Sequence, residues 1–295
     1  ETLDEKEELI VPPELLALPR YTLTANFIGR QRELAQLDSW SQNAEKPMMV
    51  VEAIGGMGKS ALTWEWVNKK AQSDNYDGRF WYSFYEGGTN MQSFLRDAVA
   101  YFREVPKKEV TANRSELEKE LMRILETRRV LLVLDGLERV LVAYHRFDAA
   151  HIRDDQIDEK ERQRKTTDPK DGRFLKLLAT CKKGKVLLSS RLMPLSLEGM
   201  ENITHEKLTG LDPDDAYDLM RDRGVKEPQN RQQMNDFMAQ FGYHGLLLTI
   251  TAGRISSFFQ APGDFDLWYQ IFGKDRQHQQ GRPGNGAQRQ HMPVQ

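Results

Sequence analysis

The sequence predicts an α/β fold, a three-layer sandwich with a mostly parallel sheet, followed by a small all-helical subdomain. Three observations carry that expectation. An apolar, β-prone run (Met48 to Val51) meets a glycine-rich turn and then a helix-like stretch with Ala61, Leu62 and Trp66. Two further runs, Val130 to Leu134 and Val186 to Leu188, are apolar without alternation, the pattern of strands buried on both faces of a parallel sheet. From Leu211 onward the strand signals stop and helical periodicity takes over.

The turn after the first run is the most informative stretch. Counted from Ala53, it reads as a small residue, four of any kind, then Gly58-Lys59-Ser60. That is a loosened phosphate-loop pattern, whose strict form has glycine where Ala53 stands. Gly55, Gly56 and Gly58 lack a Cβ and admit positive φ, so the backbone can wrap closely around an anion. The amides from Ile54 through Gly55, Gly56, Met57, Gly58, Lys59 and Ser60 to Ala61 would then face phosphates at a helix N-terminus. In such a loop Lys59 reaches the β- and γ-phosphates and the Ser60 hydroxyl binds Mg²⁺.

The second run ends in Asp135-Gly136-Leu137-Glu138. A carboxylate at the C-terminal end of a parallel strand lies at the edge where α/β proteins bind ligands. With a phosphate loop upstream, Asp135 is the expected Mg²⁺ partner of Ser60, and Glu138 is the candidate to polarise an attacking water. The third run ends in Ser189-Ser190-Arg191, where Arg191 is placed to stabilise charge on a γ-phosphate. Lys59, Asp135, Glu138 and Arg191 therefore form the candidate catalytic set, and Ser60 and Asp135 the candidate metal set.

The remaining elements follow in order. Residues 1–26 read as an arm or linker, acidic at Asp4, Glu5, Glu7 and Glu8 and reaching Pro12-Pro13. Leu34, Leu37 and Trp40 mark one face of a helix entered at Gly29. Arg79 to Phe84 is an aromatic strand, broken by Gly87-Gly88. Residues 91–102 have a helical period. Residues 115–125 form another helix, with Ser115 as N-cap and Glu118 completing a capping box. Residues 144–172 form a charged excursion. His145, Asp148 and His151 are not read as a metal site, because spacings of three are ordinary on a helix face and no second cluster supports them. Asn202 to Leu208 is a short strand, so the nucleotide-binding domain spans 27–208. The helical subdomain spans 209–272. Its first helix opens at Asp212-Pro213 and closes at Gly224, and the later segments lie at about 229–241, 245–258 and 264–272. The stretch 273–295 is a polar tail, expected to be disordered.

Composition excludes several classes. Of 295 residues, 39% are hydrophobic and 29% charged, enough for a core and for solubility. A net charge of −2 supplies no basic field for nucleic acid or an anionic membrane. Cys181 is the sole cysteine, which excludes an internal disulfide and suits a reducing, cytoplasmic setting. No apolar run has the length of a membrane span. Glu1 rather than Met opens the sequence, so a piece of a longer chain is expected.

Taken together, these motifs resemble the STAND class of P-loop NTPases, the signal-transduction ATPases that include NB-ARC and NACHT modules. Phe27-Ile28-Gly29-Arg30 with Glu33-Leu34 resembles the family's first motif, whose backbone and arginine border the adenine. Ala53 to Ser60 is similar to its phosphate loop, Leu134 to Glu138 to its second nucleotide motif, and Ser189 to Arg191 to its sensor strand. Gly242-Tyr243-His244-Gly245-Leu246-Leu247 falls where the family packs a Gly-x-Pro-Leu or His-Pro-Leu motif on the nucleotide, with Gly245 in place of the proline. Arg139 stands where the NACHT version has a second acidic residue, which leaves Glu138 as the base. The resemblance implies ATP/ADP and Mg²⁺ as ligands, with Ile28, Gly29, Arg30 and His244 beside the nucleotide. It further implies slow hydrolysis, self-association in the ATP form, and effector and sensor domains outside this stretch. The alternative is a non-catalytic scaffold in which ADP is a structural plug.

Overall fold

The computed structural model describes residues 10–18, 26–71, 76–144 and 161–273. The candidates His145, Asp148 and His151 and the polar tail lie outside them. The chain divides into two compact units. The first runs to Asp212 and includes His244–Leu246; the second comprises Pro213–Tyr243 and the chain from Leu247 onward.

The first unit is built on a six-stranded sheet. Its strands are β1 (Leu15–Leu18), β2 (Met48–Glu52), β3 (Gly78–Ser83), β4 (Val130–Asp135), β5 (Lys185–Ser190) and β6 (Ile203–Lys207), in the spatial order β1-β3-β4-β5-β2-β6. All its pairings are parallel. The apolar runs without alternation are explained by burial on both faces. Met48 and Val50 join Phe80, Leu132 and Leu188 in one core, while Met49 and Val51 join Trp81, Val133 and Leu187 in the other. Helices α3 (Met91–Arg103), α4 (Arg114–Thr127) and α5 (Pro169–Leu178) cover the first face. Helices α1 (Gln31–Gln42) and α2 (Lys59–Glu65) cover the second. This is the three-layer α/β sandwich that the sequence predicts.

Two local expectations are corrected. Within the stretch read as an arm, Leu15–Leu18 pairs with Arg79–Tyr82 as an edge strand. Four residues carry too little period-2 pattern to be recognised alone. The N-cap of α4 is Asn113, not Ser115: its side chain accepts from the Glu116 amide at 3.1 Å, and Glu116 accepts from the Asn113 amide at 2.9 Å. Two overlapping capping boxes were available, and the earlier one satisfies the helix start. Glu118 instead pairs with Arg114 at 2.7 Å.

The second unit is helical in its described residues. It holds α6 (Pro213–Asp222), α7 (Arg231–Ala239), most of α8 (Gly245–Ser256) and α9 (Phe265–Phe272). Gly224 ends the first of these at φ 88°, the left-handed conformation that glycine takes without strain. Phe237 anchors the unit through edge-on contacts with Phe241, Phe265 and Trp268.

Candidate nucleotide site

The phosphate loop connects the C-terminal end of β2 to α2, and its conformation follows from its glycines. Gly56 (φ 79°) and Gly58 (φ 94°) take the left-handed region, while Gly55 does not. A Cβ on Gly58 would meet nothing within 4 Å, whereas one on Gly56 would stand 2.5 Å from His244 Cε1 and 2.8 Å from Leu246 Cβ. Gly56 is therefore required by close packing as well as by its dihedral. The short segment His244–Leu246 grips the back of the loop. The His244 ring Nε2 lies 2.9 Å from the Gly55 carbonyl oxygen, and the Leu246 amide donates to the Gly56 carbonyl at 3.1 Å. With two carbonyls turned onto this strap, the loop's shape is held by one side-chain and one backbone contact.

Lys59 is buried, and its Nζ donates to the carbonyls of Ala53 (2.6 Å) and Ile54 (3.3 Å). The ammonium thus spans the mouth of the loop. Arg30 adopts a left-handed conformation ahead of α1 and is also buried. Its guanidinium donates to Glu33 (2.8 Å), to the Thr209 carbonyl (2.7 Å) and to the Met57 carbonyl (3.2 Å). It ties the start of α1 to the phosphate loop and to the turn after β6. Ile28 and Gly29 immediately precede it on the chain. Beside the loop opens a cleft of about 380 Å³ bordered by Ile54, Met57, Arg191, Leu192, Leu208 and Thr209. That volume is within the range of small-molecule sites.

Asp135 ends β4, which is separated from β2 by β5. It nonetheless meets the phosphate loop. Its Oδ1 accepts from the Ser60 hydroxyl at 2.8 Å and from the Ser189 hydroxyl at 2.5 Å. Ser189 in turn accepts from the Gly136 amide at 3.1 Å, which ties the ends of β5 and β4 together. Burial pushes the Asp135 carboxyl up to about 6, opposed by the two hydroxyls and by Lys59 and reinforced by nearby Glu138.

Glu138 is buried and held from three directions. Its Oε1 accepts from the Tyr85 hydroxyl at 2.7 Å and lies 3.2 Å from Arg191 Nε; its Oε2 accepts from the Arg191 backbone amide at 3.1 Å. The Arg191 guanidinium also stacks over Tyr144, 5.2 Å from the ring centroid. The structure therefore brings Lys59, Ser60, Asp135, Glu138 and Arg191 to one sheet edge, with His244 behind the loop. Sequence reasoning assigned no role to Ser189, Tyr85 or Thr209. Ser189 was legible as a polar residue at the end of an apolar strand. Tyr85 and Thr209 carry no local signal.

A phosphate loop after one strand, bonded through Ser60 to a buried aspartate at the end of another, is the arrangement of the P-loop NTPase fold. Comparison with known proteins narrows the class. Residues 31–144 match the NB-ARC domain family. The probable disease resistance proteins RF45 and RDL5 of Arabidopsis thaliana are each 28% identical over 117 residues, 38% of this chain and 11% of theirs. Solved structures show the same fold. A STAND protein with a tetratricopeptide repeat sensor from Pyrococcus horikoshii is 21% identical (TM-score 0.51) over 81% of this chain and 31% of that one. A Walker-type ATPase of Pyrococcus abyssi is 11% identical (TM-score 0.52) over 86% of this chain and 76% of that one. Over residues 31–144 the chain is thus similar to the NB-ARC domain, and its fold is that of these P-loop ATPases. It spans a small part of the plant relatives it matches, and no helix among the described residues is long and apolar enough to cross a membrane.

Proposed function

We propose that the chain is an ATP/ADP switch that hydrolyses ATP slowly with Mg²⁺, and that exchange of nucleotide moves its helical part and drives self-association. The observation that carries this reading is the bond from Ser60 to Asp135, which joins the loop to the acidic strand end. These two side chains are the donors that would hold Mg²⁺, a hard cation that takes one or two protein oxygens beside substrate phosphates and water. When bound, the ion neutralises charge between the β- and γ-phosphates. Lys59, now on two loop carbonyls, turns to the phosphates; Arg191 turns from Glu138 to the γ-phosphate; Glu138 orients the water. Arg30 and His244 act through the loop backbone, which fits a supporting role better than direct contact with the base.

The ADP-held scaffold is the second reading, favoured by one observation: Glu138 is occupied by Tyr85 and Arg191. Mass spectrometry of nucleotide released from denatured, purified protein tests both. Co-purified ADP that is absent from Lys59→Ala supports a nucleotide-held module. No nucleotide, and no Mg²⁺-ATP binding on addition, sinks both readings. Turnover that Glu138→Gln abolishes decides for the hydrolysing switch.

A further inference from the structure

Tyr85 lies just beyond β3, with its ring against Gly136 and Arg139 and its hydroxyl on Glu138. The ring rests on Gly136, where a Cβ would stand 2.7 Å from a ring carbon, so this glycine makes room for it. The Arg139 guanidinium lies 5.7 Å from the ring centroid. The residue keeps 37% of its surface exposed, yet its hydroxyl is turned onto Glu138. Burial and the neighbouring Glu138 and Asp135 carboxylates push the phenol well above its usual range, so it stays protonated and donates.

We infer that Tyr85 is a positioning residue that latches the Glu138 carboxylate away from the attacking water and so restrains hydrolysis. This rests on the nucleotide reading above. Arg191 is the weaker restraint, because a γ-phosphate competes for its guanidinium. The Tyr85 hydroxyl has no such competitor. It must swing out before Oε1 can accept a proton from water, and the exposed side of the ring lets it do so without opening a cavity in the core. Slow turnover then arises from an occupied base.

The test is single-turnover hydrolysis of bound Mg²⁺-ATP by the parent and by Tyr85→Phe, with ATP and ADP affinities measured alongside. Loss of one hydrogen bond to a charged group should speed hydrolysis by about tenfold, with both affinities within about twofold. The gain should appear in the hydrolysis step alone, with the melting temperature unchanged, which a purely structural role for the ring would not produce. Equal or slower hydrolysis in Tyr85→Phe, including ATP that stays equally intact in both proteins, overturns the latch. If the parent binds no adenine nucleotide at all, the nucleotide reading itself fails and the latch falls with it.

Discussion

Ser60, in the first turn of α2, and Asp135, at the end of β4, are bonded at 2.8 Å although β2, the strand that leads into α2, is not a neighbour of β4 in the sheet. Ser189, at the end of the strand between, donates to the same oxygen, so hydroxyls from the start of α2 and the end of β5 converge on one carboxylate oxygen. That convergence makes the metal reading testable. Asp135→Asn should abolish the gain in ATP affinity that Mg²⁺ confers, while metal-free ADP affinity stays within a few-fold of the parent. Calorimetric titrations with Mg²⁺ and with chelator check this. An undiminished Mg²⁺ effect in the variant removes Asp135 from the metal set.

The same carboxylate sets a pH dependence in the nucleotide-free protein. Its folded pKa, about 6, lies above the ordinary value of 3.8. A raised acid stabilises the fold fully below pH 3.8, and that contribution is lost as pH rises through 6. The shift amounts to at most about 3 kcal/mol. Denaturant midpoints across this window should therefore show Asp135→Asn gaining on the parent as pH rises. A difference that does not change with pH contradicts the assignment.

Gly56 and Gly58 differ in what surrounds them, and alanine should separate the two. Both carry left-handed dihedrals, so each replacement costs about 1–2 kcal/mol in backbone strain. Only at Gly56 does the added methyl collide with His244 and Leu246. Gly56→Ala should be the less stable variant by a further 1–3 kcal/mol or so, as overpacking typically costs. Thermal unfolding of the two side by side is the measurement, and equal melting temperatures would show that the strap yields freely.

Lys185 begins β5, at the opposite end of that strand from the site. Its buried ammonium donates to the carbonyls of Trp40 (3.1 Å), Asn43 (2.5 Å) and Lys46 (3.0 Å) and lies 5.4 Å from the Trp40 ring centroid. It closes the C-terminal end of α1 and the turn after it. Lys185→Met strands these acceptors and should destabilise the first unit by about 2–4 kcal/mol. Nucleotide affinity should not change. A variant as stable as the parent, or one that loses nucleotide binding while folded, contradicts this division of labour.

Much of the site was legible because its parts are local. A phosphate loop is a strand, a turn and a helix start within about a dozen consecutive residues. The roles proposed for Lys59 and Ser60 follow from their places in it. Asp135 and Arg191 were singled out because each stands at or just after the end of a strand with an apolar run. The capping of α4 and the edge strand β1 were misread for the converse reason. One had two equivalent local solutions, and the other had too few residues to show a period.

The sequence alone determined the α/β class, the order of five of the six strands along the chain, and which side chains are candidates for phosphate and metal chemistry, since strand burial and loop conformation are written in short-range pattern. Only the tertiary structure decided that β5 lies between the loop strand and the acidic strand, that His244 and Leu246 grip the loop from behind, and that Tyr85 occupies Glu138. Those contacts join residues far apart in the chain, and their free energy depends on which surfaces the folded sheet brings within reach.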